Sequence, residues 1–127
     1  MKIGGTGIDI VENARIKNAI KNSQFIKRVY SKKEILNSKK IKNKTSFFSK
    51  KFAAKEALAK SLGTGFAKGL NFNDITIIND KLGKPSFLIT DKIKKLIKKR
   101  FKISRFNFFL SISDEKKYSI AIVIFQI

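Results

Sequence analysis

Two carboxylates and a few lysines hold the chemical potential of this sequence, because so little else can react. Its 127 residues include no histidine and no cysteine. The commonest general base, the commonest zinc ligand and any thiolate chemistry are thereby excluded. A resident metal ion must be held by oxygen, which favours Mg²⁺, Mn²⁺ or Ca²⁺ over zinc. Only 9 acidic residues stand against 29 basic ones, so an acid among apolar neighbours needs a reason. Asp9 is one such acid. It sits between Ile8 and Ile10 in a β-like stretch, where Asp is ordinarily depleted. It reads either as a turn-forming residue at a strand end or as a carboxylate aimed at a metal. Glu56 is the other. It precedes Lys60 by four residues, the ordinary stabilising helix pair, worth roughly 0.2–0.5 kcal/mol and demanding no function by itself. Lys51 and Lys55 form a second charged row on the same segment.

That segment organises the rest. Residues 47–62 are rich in Ala, Leu, Lys and Glu, without Pro, and predict a helix. Thr45 or Ser46 can cap its start, and Gly63 suits the left-handed position after its end. Ala54, Leu58 and Leu62 form one buried stripe, widened by Phe48, Phe52 and Ala59. Before it, Met1 to Val11 reads as a strand in which Gly4, Gly5 and Gly7 permit close backbone approach. Ile8 and Ile10 share one face of it and Asp9 takes the other. Glu12 to Lys21 suits a short helix with Ile16, Ala19 and Ile20 inward and Arg15, Lys17 and Lys21 on a basic side. Ser23 can open a further turn, and Ser31-Lys32-Lys33-Glu34 matches a capping box. Residues 38–45 form a polar loop or the entry to the central helix.

Beyond the helix, 66–73 is a connector. Ile75–Ile78 and Phe87–Ile89 flank the turn-rich Asn79–Pro85 and predict a hairpin. Thr90 or Asp91 caps a helix with Ile93, Leu96, Ile97 and Phe101 inward. Its wet face carries Lys94, Lys95, Lys98, Lys99 and Arg100. Alternating residues at 108–113 and 120–125, around the turn Asp114–Lys117, predict a second hairpin. The expectation is one α+β domain over residues 1–127, an antiparallel sheet packed on a long central helix. The sequence contains no run of about 20 apolar residues and no signal-peptide pattern, so a cytoplasmic location is expected.

The formal charge of +20 predicts an anionic partner. Lys, Asn, Ile and Phe share A/T-rich codons, however, so genome composition accounts for part of that charge as readily as function does. The basic residues are also spread along the chain, whereas a nucleic-acid arm is usually a compact block.

Four pieces carry a resemblance. They are Gly7-Ile8-Asp9-Ile10-Val11-Glu12 with Arg15-Ile16; Phe52-Ala53-Ala54-Lys55-Glu56-Ala57 with Lys60 and Gly63-Thr64-Gly65; Gly83-Lys84-Pro85; and Ser111-Ile112-Ser113-Asp114-Glu115 leading to Tyr118. In this order and spacing, across nearly the whole chain, they resemble the holo-acyl-carrier-protein synthase family, the small phosphopantetheinyl transferases. The resemblance implies the fold of that family and its reaction in fatty acid biosynthesis. The 4′-phosphopantetheine arm of coenzyme A moves to a Ser of apo acyl carrier protein and 3′,5′-ADP leaves. It implies Asp9 and Glu56 as Mg²⁺ ligands and Asp9, Glu56 and Lys60 as the catalytic set, with Lys60 beside the reacting phosphate. With no histidine present, Glu56 or a water it orients is the candidate base.

The resemblance also assigns coenzyme A contacts to Lys51, Lys60, Gly63, Gly83, Lys84, Pro85 and Asp114. Lys51 replaces the Arg of some members, a point charge for a bidentate fork. Asp114 falls where certain members carry His and others an acid. Arg15, with Lys17 and Lys21, falls on the side that meets the acidic carrier protein. Members are usually homotrimers with active sites between subunits. The competing reading is a small basic RNA- or DNA-binding module, for which Phe and Lys suit stacking and phosphate contact. Against it, most Phe residues occupy core-periodic positions, and no RNP-like or helix-turn-helix pattern occurs.

Overall fold

The fold is that of a computed structural model, which describes residues 2–63, 65–66 and 69–127. Met1, Thr64 of the Gly-Thr-Gly motif, and residues 67–68 of the predicted connector lie outside the described residues. In chain order the elements are β1 (Ile3–Glu12), α1 (Asn13–Ala19), α2 (Ser23–Val29), α3 (Lys32–Ser38), α4 (Lys44–Ser61), a 3₁₀ turn (Phe72–Asp74), β2 (Thr76–Asn79), β3 (Pro85–Leu88), α5 (Asp91–Phe101), β4 (Asn107–Asp114) and β5 (Tyr118–Gln126). Strands β1, β5 and β4 form an antiparallel sheet in that spatial order, and β2–β3 is a separate hairpin. The α+β architecture read from the sequence is the one observed.

Helix α4 packs on all three strands of the sheet. It begins three residues before the expected start, because Asn43 supplies the cap: its side chain accepts the Ser46 N–H. Its end is as expected, with Gly63 at φ 82° just past the last turn. The stripe Ala54, Leu58 and Leu62 is buried, and so are Ala53, Ala57 and Ala59. The helix is therefore enclosed on more than one side. Lys51 and Lys55 do not form a wet row. Both are buried, and Lys55 is fully enclosed against Glu34 of α3. The Ser31–Glu34 capping box forms.

The sheet is two-faced. Ser119, Ala121, Val123 and Phe125 of β5 are buried. The opposite face is apolar yet exposed. Ile8 pairs with Ile122 and Ile10 with Ile120 across the β1–β5 ladder, and all four are exposed, as is Phe109 of β4. The predicted wet face of α5 is exposed at Lys94, Lys95, Lys98 and Lys99, but Arg100 is half-buried and donates to the Leu62 carbonyl at 3.0 Å.

Candidate active site

Gly5, Gly7, Asp9 and Val11 alternate onto one face of β1, the face turned to α4. A Cβ on Gly7 would overlap the Ala57 carbonyl oxygen, and one on Gly5 would overlap that of Ser61. Glycine at these two places lets β1 lie directly against the α4 backbone. The next residue on that face is Asp9. The close approach delivers its carboxylate to side chains one helical turn apart, Glu56 and Lys60.

Lys60 Nζ lies 3.0 Å from Asp9 Oδ1 and also donates to the Ile8 carbonyl at 3.0 Å. The within-helix Glu56–Lys60 ion pair does not form among the described residues. Lys60 reaches instead to β1, where a carboxylate and a carbonyl accept it together. Glu56 is half-buried, and its pKa stands above the ordinary carboxylate value. Burial is the main cause, the negative charge of Asp9 adds to it, and Lys60 opposes it.

These three residues line a cleft of about 430 Å³ together with Glu12, Arg15, Phe25 and Phe52. Arg15 on α1 thus faces the carboxylates. Lys17 and Lys21 are exposed and are not part of the cleft wall, and Lys21 lies beyond the end of α1.

A second cavity, of about 550 Å³, lies on another side of α4. Asn43, Ser46, Phe47, Lys50 and Lys51 form one wall, the hairpin residues Ile77, Asn79, Gly83 and Pro85 another, and Ile112 and Asp114 of β4 close it. Ser46 Oγ donates to Asp114 Oδ2 at 3.0 Å. Lys51 is only 7% exposed, with its ammonium 4.2 Å from the centre of the Phe47 ring. Burial lowers its pKa below the usual lysine value. The turn between β2 and β3 is set by Asp80, whose Oδ1 accepts the Leu82 and Lys84 N–H groups, and by Gly83 at φ 88°. Gly83 and Pro85 line the cavity, whereas the Lys84 side chain is exposed outside it. Gly63 is exposed and lines neither cavity.

The donors in the first cleft fit a hard divalent cation. Asp9 and Glu56 offer carboxylate oxygens to one cleft, and a cation there would offset both the burial of Glu56 and the repulsion that Asp9 adds. No cluster of three or more His, Cys, Asp or Glu occurs among the described residues. Mg²⁺ keeps water and substrate phosphate in its shell and asks for only one or two protein carboxylates, the number Asp9 and Glu56 could offer. Sequence reasoning found Asp9, Glu56 and Lys51 but missed Glu34. Its capping role accounted for it fully, and nothing in the spacing announced the buried lysine it also meets.

Residues 5–123 match the sequence profile of the 4′-phosphopantetheinyl transferase superfamily. The chain is 71% identical to a holo-acyl-carrier-protein synthase of Pelagibacter ubique over 126 residues, covering 99% of this chain and 98% of that one. Its fold is similar to the crystal structure of holo-acyl-carrier-protein synthase from Neisseria meningitidis, with TM-score 0.88, 35% identity, and coverage of 98% of this chain and 99% of that one. It is also similar to that from Bacillus anthracis in complex with CoA (3′,5′-ADP), with TM-score 0.80, 33% identity, and coverage of 98% and 96%. No described helix is long and apolar enough to cross a membrane.

Proposed function

The chain belongs to the holo-acyl-carrier-protein synthase family of 4′-phosphopantetheinyl transferases, and from that membership we propose how its residues carry out the transfer of 4′-phosphopantetheine from coenzyme A to a Ser of apo acyl carrier protein. The whole chain, 1–127, acts as one cytoplasmic transferase domain serving fatty acid biosynthesis. The observation that carries the reading is the meeting of Asp9, Glu56 and Lys60 in one cleft.

Attack on a diphosphate needs alignment and charge neutralisation more than covalent help. Asp9 and Glu56 would hold Mg²⁺, which would supply Lewis-acid polarisation of phosphate oxygens. The carrier Ser hydroxyl attacks the phosphorus that bears the pantetheine arm. The bond from that phosphorus to the bridging oxygen breaks, and 3′,5′-ADP departs. Lys60 offsets charge on the leaving phosphate. Glu56, or a water it orients, accepts the hydroxyl proton.

The nucleotide of coenzyme A occupies the second cavity, with Lys51 on phosphate and Gly83 and Pro85 along the adenine. Asp114 closes that cavity and Lys84 lies outside its wall, whereas Gly63, past the far end of α4, stands apart from it. Arg15 meets the acidic carrier protein, and Lys17 and Lys21 steer its approach, raising association rates by about 10–10³ at low salt.

The two cavities share no wall residue, since Lys51 faces one while Glu56 and Lys60 face the other. The diphosphate joins them across a subunit boundary in a homotrimer. The exposed isoleucine face of the sheet supports such an assembly. The nucleic-acid reading loses its stacking platform: Phe48, Phe87 and Phe125 are buried, and Phe109 alone among the described phenylalanines is more than a third exposed.

Incubation with apo acyl carrier protein, coenzyme A and Mg²⁺ should add ~340 Da to the carrier by mass spectrometry, the mass of the group whose transfer the site is built for. Glu56→Gln should slow turnover by roughly 10²–10⁴-fold while coenzyme A binding persists. Absence of any mass gain, or full turnover by the Gln variant, sinks this reading.

A further inference from the structure

Glu34 and Lys55 lie outside both cavities' walls, yet each is completely buried and they pair at 2.7 Å. A buried ion pair is weak evidence for stability, because desolvation offsets much of its attraction. Its use is better sought in what it holds together. Glu34 Oε1 accepts the Ser31 N–H at 3.0 Å in addition to Lys55. Its other oxygen, Oε2, accepts the Ile77 N–H at 2.9 Å. Lys55 Nζ donates to the Phe72 carbonyl at 2.9 Å and to the Ile75 carbonyl. Tyr30 flanks the pair, with its ring centre 5.6 Å from the ammonium and its hydroxyl donating to the Phe48 carbonyl at 2.8 Å. One carboxylate and one ammonium therefore tie α3, α4 and the start of β2 into a single unit.

Both walls of the second cavity hang from this unit. Ile77 lines the cavity and is fastened through its N–H to Glu34. Lys51 lines the opposite wall one helical turn before Lys55. We propose that the Glu34–Lys55 pair is a positioning device that sets the spacing between α4 and the β2–β3 hairpin, and so preforms the cavity for the nucleotide of coenzyme A. The proposal rests on the reading that this cavity takes that nucleotide. Neither residue touches substrate; both act through Ile77 and Lys51.

The test compares the unaltered protein with the double variant Glu34→Gln/Lys55→Met, which removes both charges and nearly keeps volume. The expected result is a coenzyme A KM, and a Kd for 3′,5′-ADP, raised roughly tenfold, as a sub-ångström displacement of a binding wall should produce. The carrier KM should stay within about twofold and saturating kcat within about threefold, since the Asp9 cleft is untouched. Equal nucleotide affinity in both proteins, or a uniform fall in every parameter with thermal stability, overturns the assignment. Amide exchange in the unaltered protein gives a second measure that needs no variant. The Ile77 amide should be protected without ligand and unchanged by 3′,5′-ADP. Fast exchange that slows only on nucleotide binding overturns the idea of a preformed cavity. If the unaltered protein binds no coenzyme A at all, the reading of the cavity falls and takes this assignment with it, whereas normal binding with an indifferent pair defeats the assignment alone.

Discussion

Lys51 carries a pH dependence whose sign follows from its burial. In the unfolded chain its ammonium keeps its proton to a pH of about 10.5. In the folded chain burial makes it give up that proton earlier. Between the two values the unfolded state binds more protons, so this residue contributes stability that rises with pH. Coenzyme A affinity should move the opposite way, flat at lower pH and falling as pH climbs through the lowered value. Lys51→Met should remove that alkaline fall and raise the coenzyme A KM at neutral pH by roughly 10–100-fold, the worth of a charge-assisted contact. Titration calorimetry of both proteins across pH checks it, and a matching alkaline fall in the variant sinks the assignment. At this scale the sequence was legible where residue type was rare. With 9 acids in the chain, Asp9 and Glu56 stood out. Glu34 did not, because a capping box explained it, and its other partners, Lys55 on Oε1 and Ile77 on Oε2, are distant in sequence.

The element pair β1–α4 rests on two missing side chains. Gly7→Ala would place a Cβ against the Ala57 carbonyl and within 2.8 Å of Ser61 N, and both are backbone atoms that cannot swing aside. The strand must lift from the helix. The expected cost is about 2–3 kcal/mol, at the upper end for overpacking, measurable as a lower urea midpoint. Turnover should fall further than stability explains, because Asp9 is the next residue on the same face and moves with the strand. Full activity in a folded Gly7→Ala protein would contradict the close-approach argument. Periodicity and caps made most elements readable, including the Gly63 stop, both hairpins and the Ser31 box. The start of α4 was misplaced because residues 38–45 are polar apart from Ile41, and only the Asn43 side chain, accepting the Ser46 N–H, marks where the helix begins. The burial of Lys51 and Lys55 was also unreadable, since long basic side chains at helical spacing ordinarily face water.

Across the whole molecule the sheet presents Ile8, Ile10, Ile120 and Ile122 outward on its exposed face. A strand-by-strand reading found the alternation but had no means to say that the apolar side without helix cover would be this one. If that face is a subunit boundary, Ile8→Lys should leave each chain folded and shift the sedimenting species from trimer to monomer. Monomers should lose most activity even though Asp9, Glu56 and Lys60 are intact, because the two cavities then never meet. Trimeric sedimentation of the variant would place the boundary elsewhere. Helix α4 adds a last consequence. Both cavities draw on it, and its body is packed against strands and neighbouring helices with almost no free surface. It can absorb little mutational drift. On the proposed assignment, divergence in which carrier or nucleotide is preferred falls to the exposed residues of α1 and of the Asp80–Lys84 turn, which evolution can exchange without reopening the interior.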